Sequence, residues 1–101
     1  MFCVLYELHV NPENEKEFQE LYPQVVEAAK NRGGLGSRLH RSVNNKELWY
    51  NYAPWPNREA WIKGSPHTPK KTDNDLVRRF RAITTPRVVY ELEVIRDLLV
   101  S

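Results

Sequence analysis

The stretch whose reading decides the fold runs from Gly33 to Trp61: Gly33-Gly34-Leu35-Gly36-Ser37-Arg38-Leu39-His40-Arg41, and then, past Asn44-Asn45, Leu48-Trp49-Tyr50-Asn51-Tyr52-Ala53-Pro54-Trp55-Pro56-Asn57-Arg58-Glu59-Ala60-Trp61. The paired glycines stop a helix, because glycine enters the left-handed region at a helix end without steric cost. A strand follows over Leu35 to Val43 and another over Lys46 to Tyr52. Asn44-Asn45 reads as their connector, since asparagine tolerates the positive φ of a two-residue hairpin turn. That turn sets Val43 opposite Lys46, Leu39 opposite Tyr50 and Arg41 opposite Leu48. Ser37, Leu39, Leu48, Tyr50 and Tyr52 then share one face, and Arg38, His40, Trp49 and Asn51 the other. Trp55-Pro56-Asn57 ends the second strand and caps a short helix from Arg58 to about Lys63.

Working outward, Phe2 to Val10 is rich in β-formers and alternates. Phe2, Val4, Tyr6, Leu8 and Val10 lie on one side, Cys3, Leu5, Glu7 and His9 on the other. Asn11-Pro12-Glu13 opens a helix, with Asn as N-cap, Pro at the first helical position and acids in the first turns. Phe18, Leu21, Val25, Ala28 and Ala29 recur at helical spacing, in phase across Pro23 despite the hydrogen bond a proline removes. Downstream, Gly64-Ser65-Pro66-His67-Thr68-Pro69 interrupts the chain. Thr72 to Asp75 reads as a capping box before a helix carrying Leu76, Val77, Phe80 and Ile83. Thr84-Thr85-Pro86 stops that helix, Arg87 to Val94 is a last strand, and Ile95 to Val100 is an apolar tail. The order is β-α-β-β-α-β with the second helix broken in two. Right-handed crossovers lead it to an α+β, ferredoxin-like fold: a four-stranded antiparallel sheet with helices on one face.

The totals fit one soluble domain over residues 1–101. Of the 101 residues 41% are hydrophobic and 28% charged, and no apolar run is as long as a membrane span. The N-terminus has no basic leader, and the lone Cys3 reads as a buried small hydrophobe rather than half of a disulfide. A cytoplasmic protein is expected. With 15 basic against 13 acidic residues, the charge balance points to neither nucleic acid nor an anionic membrane. One sheet face, carrying Cys3, Leu5 and Trp49, has no cover within the chain, and the tail 95–101 needs a surface to lie on. A second copy supplies both, so a face-to-face homodimer is expected, with Leu5, Arg38, His40 and Trp49 in the interface and Glu7 offsetting Arg38.

These residues resemble the antibiotic biosynthesis monooxygenase family, whose members are dimeric α+β barrels. The resemblance rests on Gly34-Leu35-Gly36-Ser37-Arg38-Leu39-His40-Arg41, on Tyr50-x-Tyr52-x-x-Trp55-Pro56 and on Arg58-Glu59-Ala60-Trp61. It implies an oxygenase that acts on an aromatic or polyketide-like small molecule without metal or prosthetic group, in a pocket between the sheet and its own helices. Carried over to this chain, Tyr6, Tyr50, Tyr52 and Trp61 are the substrate-binding candidates, and His67 also lines the pocket. The haem-degrading branch has an Asn where Tyr6 aligns and a His where Lys71 aligns, so haem chemistry is disfavoured. Of the Asn-Trp-Arg set linked with some cofactor-free oxygenases, Trp61 is the match read from the sequence.

Cofactor-free oxygenation needs a base that turns a phenol or activated C–H into an electron-rich anion. His67, an imidazole in a proline-bracketed break, is the candidate catalytic base, set against an exposed loop histidine. The aromatic set is a slot for a planar ligand or plain core, and Trp55 reads as packing against its helix. No metal site is expected: His9 and His40 fall on strands that are not neighbours, and no carboxylate or thiolate cluster joins them. Arg78, Arg79 and Arg81 read mostly as a solvated helix face, with attraction of an anionic substrate as the alternative. The alternative function is a non-catalytic dimer that binds a small hydrophobic molecule or serves as an accessory subunit. An RNA-binding module shares the strand order but needs aromatics that Leu48-Trp49-Tyr50-Asn51-Tyr52 does not place.

Overall fold

The computed structural model describes residues 1–65 and 75–99. Four strands form one antiparallel sheet: β1 (Phe2–His9), β2 (Arg38–Arg41), β3 (Leu48–Trp55) and β4 (Arg87–Glu93), in spatial order β2-β3-β1-β4. The helices are α1 (Glu15–Asn31), entered through a 3-10 turn at Pro12–Asn14, α2 (Arg58–Gly64) and α3 (Asp75–Ile83). This is the expected ferredoxin-like arrangement. Among the described residues no helix is long and apolar enough to cross a membrane.

Local chemistry sets the ends of these elements. Asn11 leaves its side chain out of the cap, and its carbonyl instead accepts from Asn14 N–H at 2.9 Å in the 3-10 turn. Asn57 does cap α2, its Oδ1 accepting from Ala60 N–H at 2.8 Å. At the end of α1, Gly33 N–H bonds Lys30 C=O and Gly34 N–H bonds Ala29 C=O, while Gly33 sits at φ +110°. That pair of bonds is a Schellman closure, and it turns the chain back toward the sheet. α1 runs unbroken past Pro23.

The hairpin differs from the expected one. Leu39 lies opposite Asn51, His40 opposite Tyr50 and Arg41 opposite Trp49, one residue away from the register of a two-residue turn. Among the described residues none other than glycine has positive φ, so Asn44-Asn45 does not form that turn. The chain loops over 42–47 instead, with Ser42 Oγ accepting from Asn45 N–H and Asn45 Oδ1 from Glu47 N–H. Short polar side chains that hydrogen-bond nearby backbone have replaced the left-handed turn. Because side chains alternate, a slip of one residue moves every β3 side chain to the opposite face.

The consequence is that Trp49 enters the core. It is 6% exposed and packs on Phe18, which in turn meets Tyr22 and Phe80, with Leu8, Val10 and Leu21 completing the cluster. Its expected place in a dimer interface is therefore corrected. Tyr50 and Tyr52 stand opposite Glu7 and Leu5 on the open face. A second cluster of Val4, Ala53, Trp55 and Trp61 holds α2 to the sheet. Cys3 is buried, as a small hydrophobe should be. Glu7 pairs with Arg87 at 3.0 Å and accepts from Tyr50 rather than facing Arg38.

Candidate active site

Between α1, α3 and the helix-covered face of the sheet lies a cavity of about 380 Å³, within the size range of small-molecule sites. The stripe of α1 supplies Tyr22, Val25, Val26 and Ala29, and α3 supplies Leu76, Val77 and Phe80. The sheet supplies the floor: Tyr6 and Leu8 from β1, Asn51, Ala53 and Trp55 from β3, Val88 from β4. Most of this wall is apolar, so its few polar groups decide how a ligand sits.

Those polar groups are organised around Tyr22. Its hydroxyl donates to Asn51 Oδ1 at 2.8 Å. With that one proton committed, the phenol oxygen accepts from the Ser37 hydroxyl, in close contact with it. Burial pushes the Tyr22 phenol above its ordinary value of 10.0, and the Ser37 hydrogen bond offsets part of that rise. Tyr22 is thus a neutral donor at physiological pH, not a base. Asn51 is fixed by the same bond, its carbonyl oxygen turned to Tyr22.

Tyr6 forms a second polar point. Trp61 Nε1–H donates to Tyr6 Oη at 2.7 Å, and Ser65 Oγ lies 3.5 Å from the same oxygen. Trp61 itself is 4% exposed and packs on Phe2, behind Tyr6 rather than on the cavity wall. Two arginines, Arg32 and Arg81, complete the polar lining. Arg32 Nε donates to the carbonyl of Gly64 at 2.5 Å.

Of the substrate-binding candidates read from sequence, Tyr6 lines this cavity and Trp61 buttresses it. Tyr50 and Tyr52 do not; the register shift has moved them to the other side of the sheet. Leu5, Arg38 and His40 do share that open face, in line with Tyr52 and Tyr50. His67 and Lys71 lie outside the described residues. The sequence reading missed Tyr22, Ser37 and Asn51. Tyr22 follows Phe18 at i+4, so the helical stripe contained the signal for it. Asn51 was hidden by the assumed hairpin register. Asn51, Trp55, Arg32 and Arg81 also line the cavity, from β3, the end of α1 and α3. Among the described residues no group of three His, Cys, Asp or Glu side chains is placed to hold a metal ion.

Comparison with known proteins agrees with this fold. The family model for antibiotic biosynthesis monooxygenase matches residues 1–68. The chain belongs to the antibiotic biosynthesis monooxygenase family. A crystal structure of SnoaB, a cofactor-independent oxygenase from Streptomyces nogalater, superposes with a TM-score of 0.74 at 15% identity, covering 96% of this chain and 95% of that one. A crystal structure of another antibiotic biosynthesis monooxygenase gives a TM-score of 0.68 at 20% identity, covering 95% of this chain and 100% of that one. At such identities these likenesses show the fold alone. No curated protein sequence matches the chain.

Proposed function

We propose that this family member is a monooxygenase that binds an aromatic, polyketide-like phenol or anthrone in the cavity under α1 and α3 and oxidises it without metal or prosthetic group. The observation that carries the reading is the hydrogen-bonded Ser37–Tyr22–Asn51 chain set in an otherwise apolar wall of ligand size. A flat ring system fits against Phe80, Trp55 and the valines of α1, and its oxygens find the Asn51 amide and the Tyr6 hydroxyl.

The chemistry follows from the substrate. A base removes a proton from the phenol or activated methylene. The resulting anion gives an electron to dioxygen, and the radical pair combines to form a C–O bond. The returning proton makes a hydroperoxide, which loses water to leave a carbonyl. One oxygen atom enters the product, and the other leaves as water with both electrons drawn from substrate. Apolar walls favour the step by excluding water from the anion's reaction with oxygen, while fixed donors stabilise its charge. The proposed base remains His67. Among the described residues lining the cavity there is no carboxylate or imidazole, and Tyr22 is held protonated.

The open face is proposed as a homodimer interface. It carries Tyr90 at 59% and Leu92 at 42% exposure, next to Leu5, Tyr52 and the tail residues Leu98 and Leu99, an apolar patch that water would otherwise meet.

Oxygen uptake with a panel of anthrones and hydroquinones tests the reading. The wild-type protein should consume oxygen, and Asn51→Ala should do so at least about tenfold more slowly, as expected for loss of one positioned donor. Binding without uptake would favour the accessory, ligand-carrying role. Equal uptake by both proteins would remove Asn51 from the site.

A further inference from the structure

We infer that Tyr22 is a positioning residue: it turns the Asn51 amide so that one part of the cavity floor meets a ligand with hydrogen-bond donors, and so selects a ligand oxygen that accepts, a ketone or an ionised phenol. The inference rests on the cavity being the substrate site. Tyr6 and Asn51 stand directly opposite each other on β1 and β3, and both line the cavity, so their side chains rise beside one another from the floor. Each has its accepting oxygen already engaged. Asn51 Oδ1 accepts from the Tyr22 hydroxyl at 2.8 Å, and Tyr6 Oη accepts from Trp61 Nε1–H at 2.7 Å. Asn51 keeps its NH2 for a ligand, since that group has no partner among the described residues. It is not sealed off either, because the buried side-chain polar atom without a partner among those residues is Trp49 Nε1. Tyr6 keeps its O–H, with Ser65 Oγ a loose 3.5 Å away.

Asparagine cannot set this polarity alone. A half-turn about χ2 exchanges its carbonyl and amide ends, and by itself either end could face a ligand. The hydroxyl chain removes that freedom. Tyr22 and Ser37 touch through their oxygens, and a pair of hydroxyls shares only one proton across such a contact. With the Tyr22 proton on Asn51, Ser37 supplies the one between them, and Tyr22 has spent both its donor and an acceptor site within the protein. Tyr22 therefore reaches a ligand oxygen through Asn51 rather than directly. The opposite order, with Tyr22 donating to Ser37 and Asn51 to Tyr22, would leave a carbonyl facing the ligand and favour a hydroxyl there instead.

The test uses 2-hydroxyanthraquinone, a phenol that changes colour on ionisation, titrated optically while bound, with 2-methoxyanthraquinone as an uncharged probe of fit. Donors held against the phenol oxygen favour its anion. Tyr22→Phe should raise the ionisation midpoint of the bound phenol by at least about one pH unit, an about tenfold loss of preference for the anion. The methoxy probe should bind as it does to wild type, which also shows that the cavity is intact. Asn51→Ala should raise the midpoint as far or further. Tyr22→Phe placed on Asn51→Ala should add nothing, because a residue that acts through Asn51 has no route without it. Ser37→Ala should move the midpoint the same way by less, and it decides the matter if Tyr22→Phe no longer binds the methoxy probe. A midpoint unmoved by the deciding variant, or a Tyr22 effect of full size without Asn51, overturns the inference and leaves the cavity standing as a ligand site. Failure of both probes to bind wild type overturns the cavity as well.

Discussion

At the residue scale, Tyr22 is where stability and chemistry meet. Its hydroxyl is buried, donates to Asn51 and accepts from Ser37. Tyr22→Phe leaves two polar partners short of a hydrogen bond, and should lower unfolding free energy by about 1–2 kcal/mol in denaturant titrations. The phenol also links stability to pH. Its value is raised in the folded state, so folded protein holds the proton more tightly than unfolded protein does. This contribution is fully present below the unfolded value of about 10 and is lost as pH rises toward the folded value. Wild type should therefore lose stability above about pH 10 faster than Tyr22→Phe does, which alkaline denaturation curves would show. The proposed base makes a separate prediction. If His67 takes the substrate proton, the reaction needs its neutral imidazole, and the oxidation rate should rise with pH to a plateau. His67→Ala should flatten that limb, and an unchanged profile would exclude it.

At the element scale, the telling junction is the convergence of α1, α2 and β3 on Gly64. Replacing a helical glycine by alanine ordinarily favours the helix by about 1 kcal/mol. Here the added carbon would stand 2.6 Å from a backbone oxygen and 2.7 Å from the Trp55 ring, and backbone has little room to yield. Gly64→Ala should therefore destabilise, by about 1–3 kcal/mol net of strain, read as a lowered midpoint of thermal unfolding. Trp49→Ala should cost more, about 3–5 kcal/mol, because it empties the centre of the Phe18 cluster. The same scale explains what the sequence could reveal. β1, α1, α2 and β4 were legible from alternation, the stripe of Phe18 and Leu21, the Asn57 cap and the stop at Pro86. Periodicity could not fix the length of the hairpin loop, because Asn44-Asn45 satisfies a two-residue turn and a longer polar loop equally well. That ambiguity exchanged Trp49 and Asn51 with Tyr50 and Tyr52 across the sheet. The cavity was therefore expected between the correct layers, but with half of its floor misassigned.

At the scale of the whole molecule, two faces of one sheet divide the work. The covered face holds the cavity; the other presents Leu5, Tyr50, Tyr52, Tyr90 and Leu92, with the residues after β4 beside them. If that face is the proposed dimer interface, sedimentation at micromolar concentration should give the mass of two chains. Leu5→Lys with Tyr90→Lys should shift it toward one, because lysine is costly in a dry interface. The account's central claim concerns the cavity, and oxygen labelling tests it most directly. The purified chain would be supplied with an anthrone and heavy-isotope dioxygen, and the product analysed by mass spectrometry. The account predicts one labelled oxygen atom per product molecule, with formation slowed in Asn51→Ala. Product oxygen drawn from water, or no conversion across the anthrone panel, would contradict it.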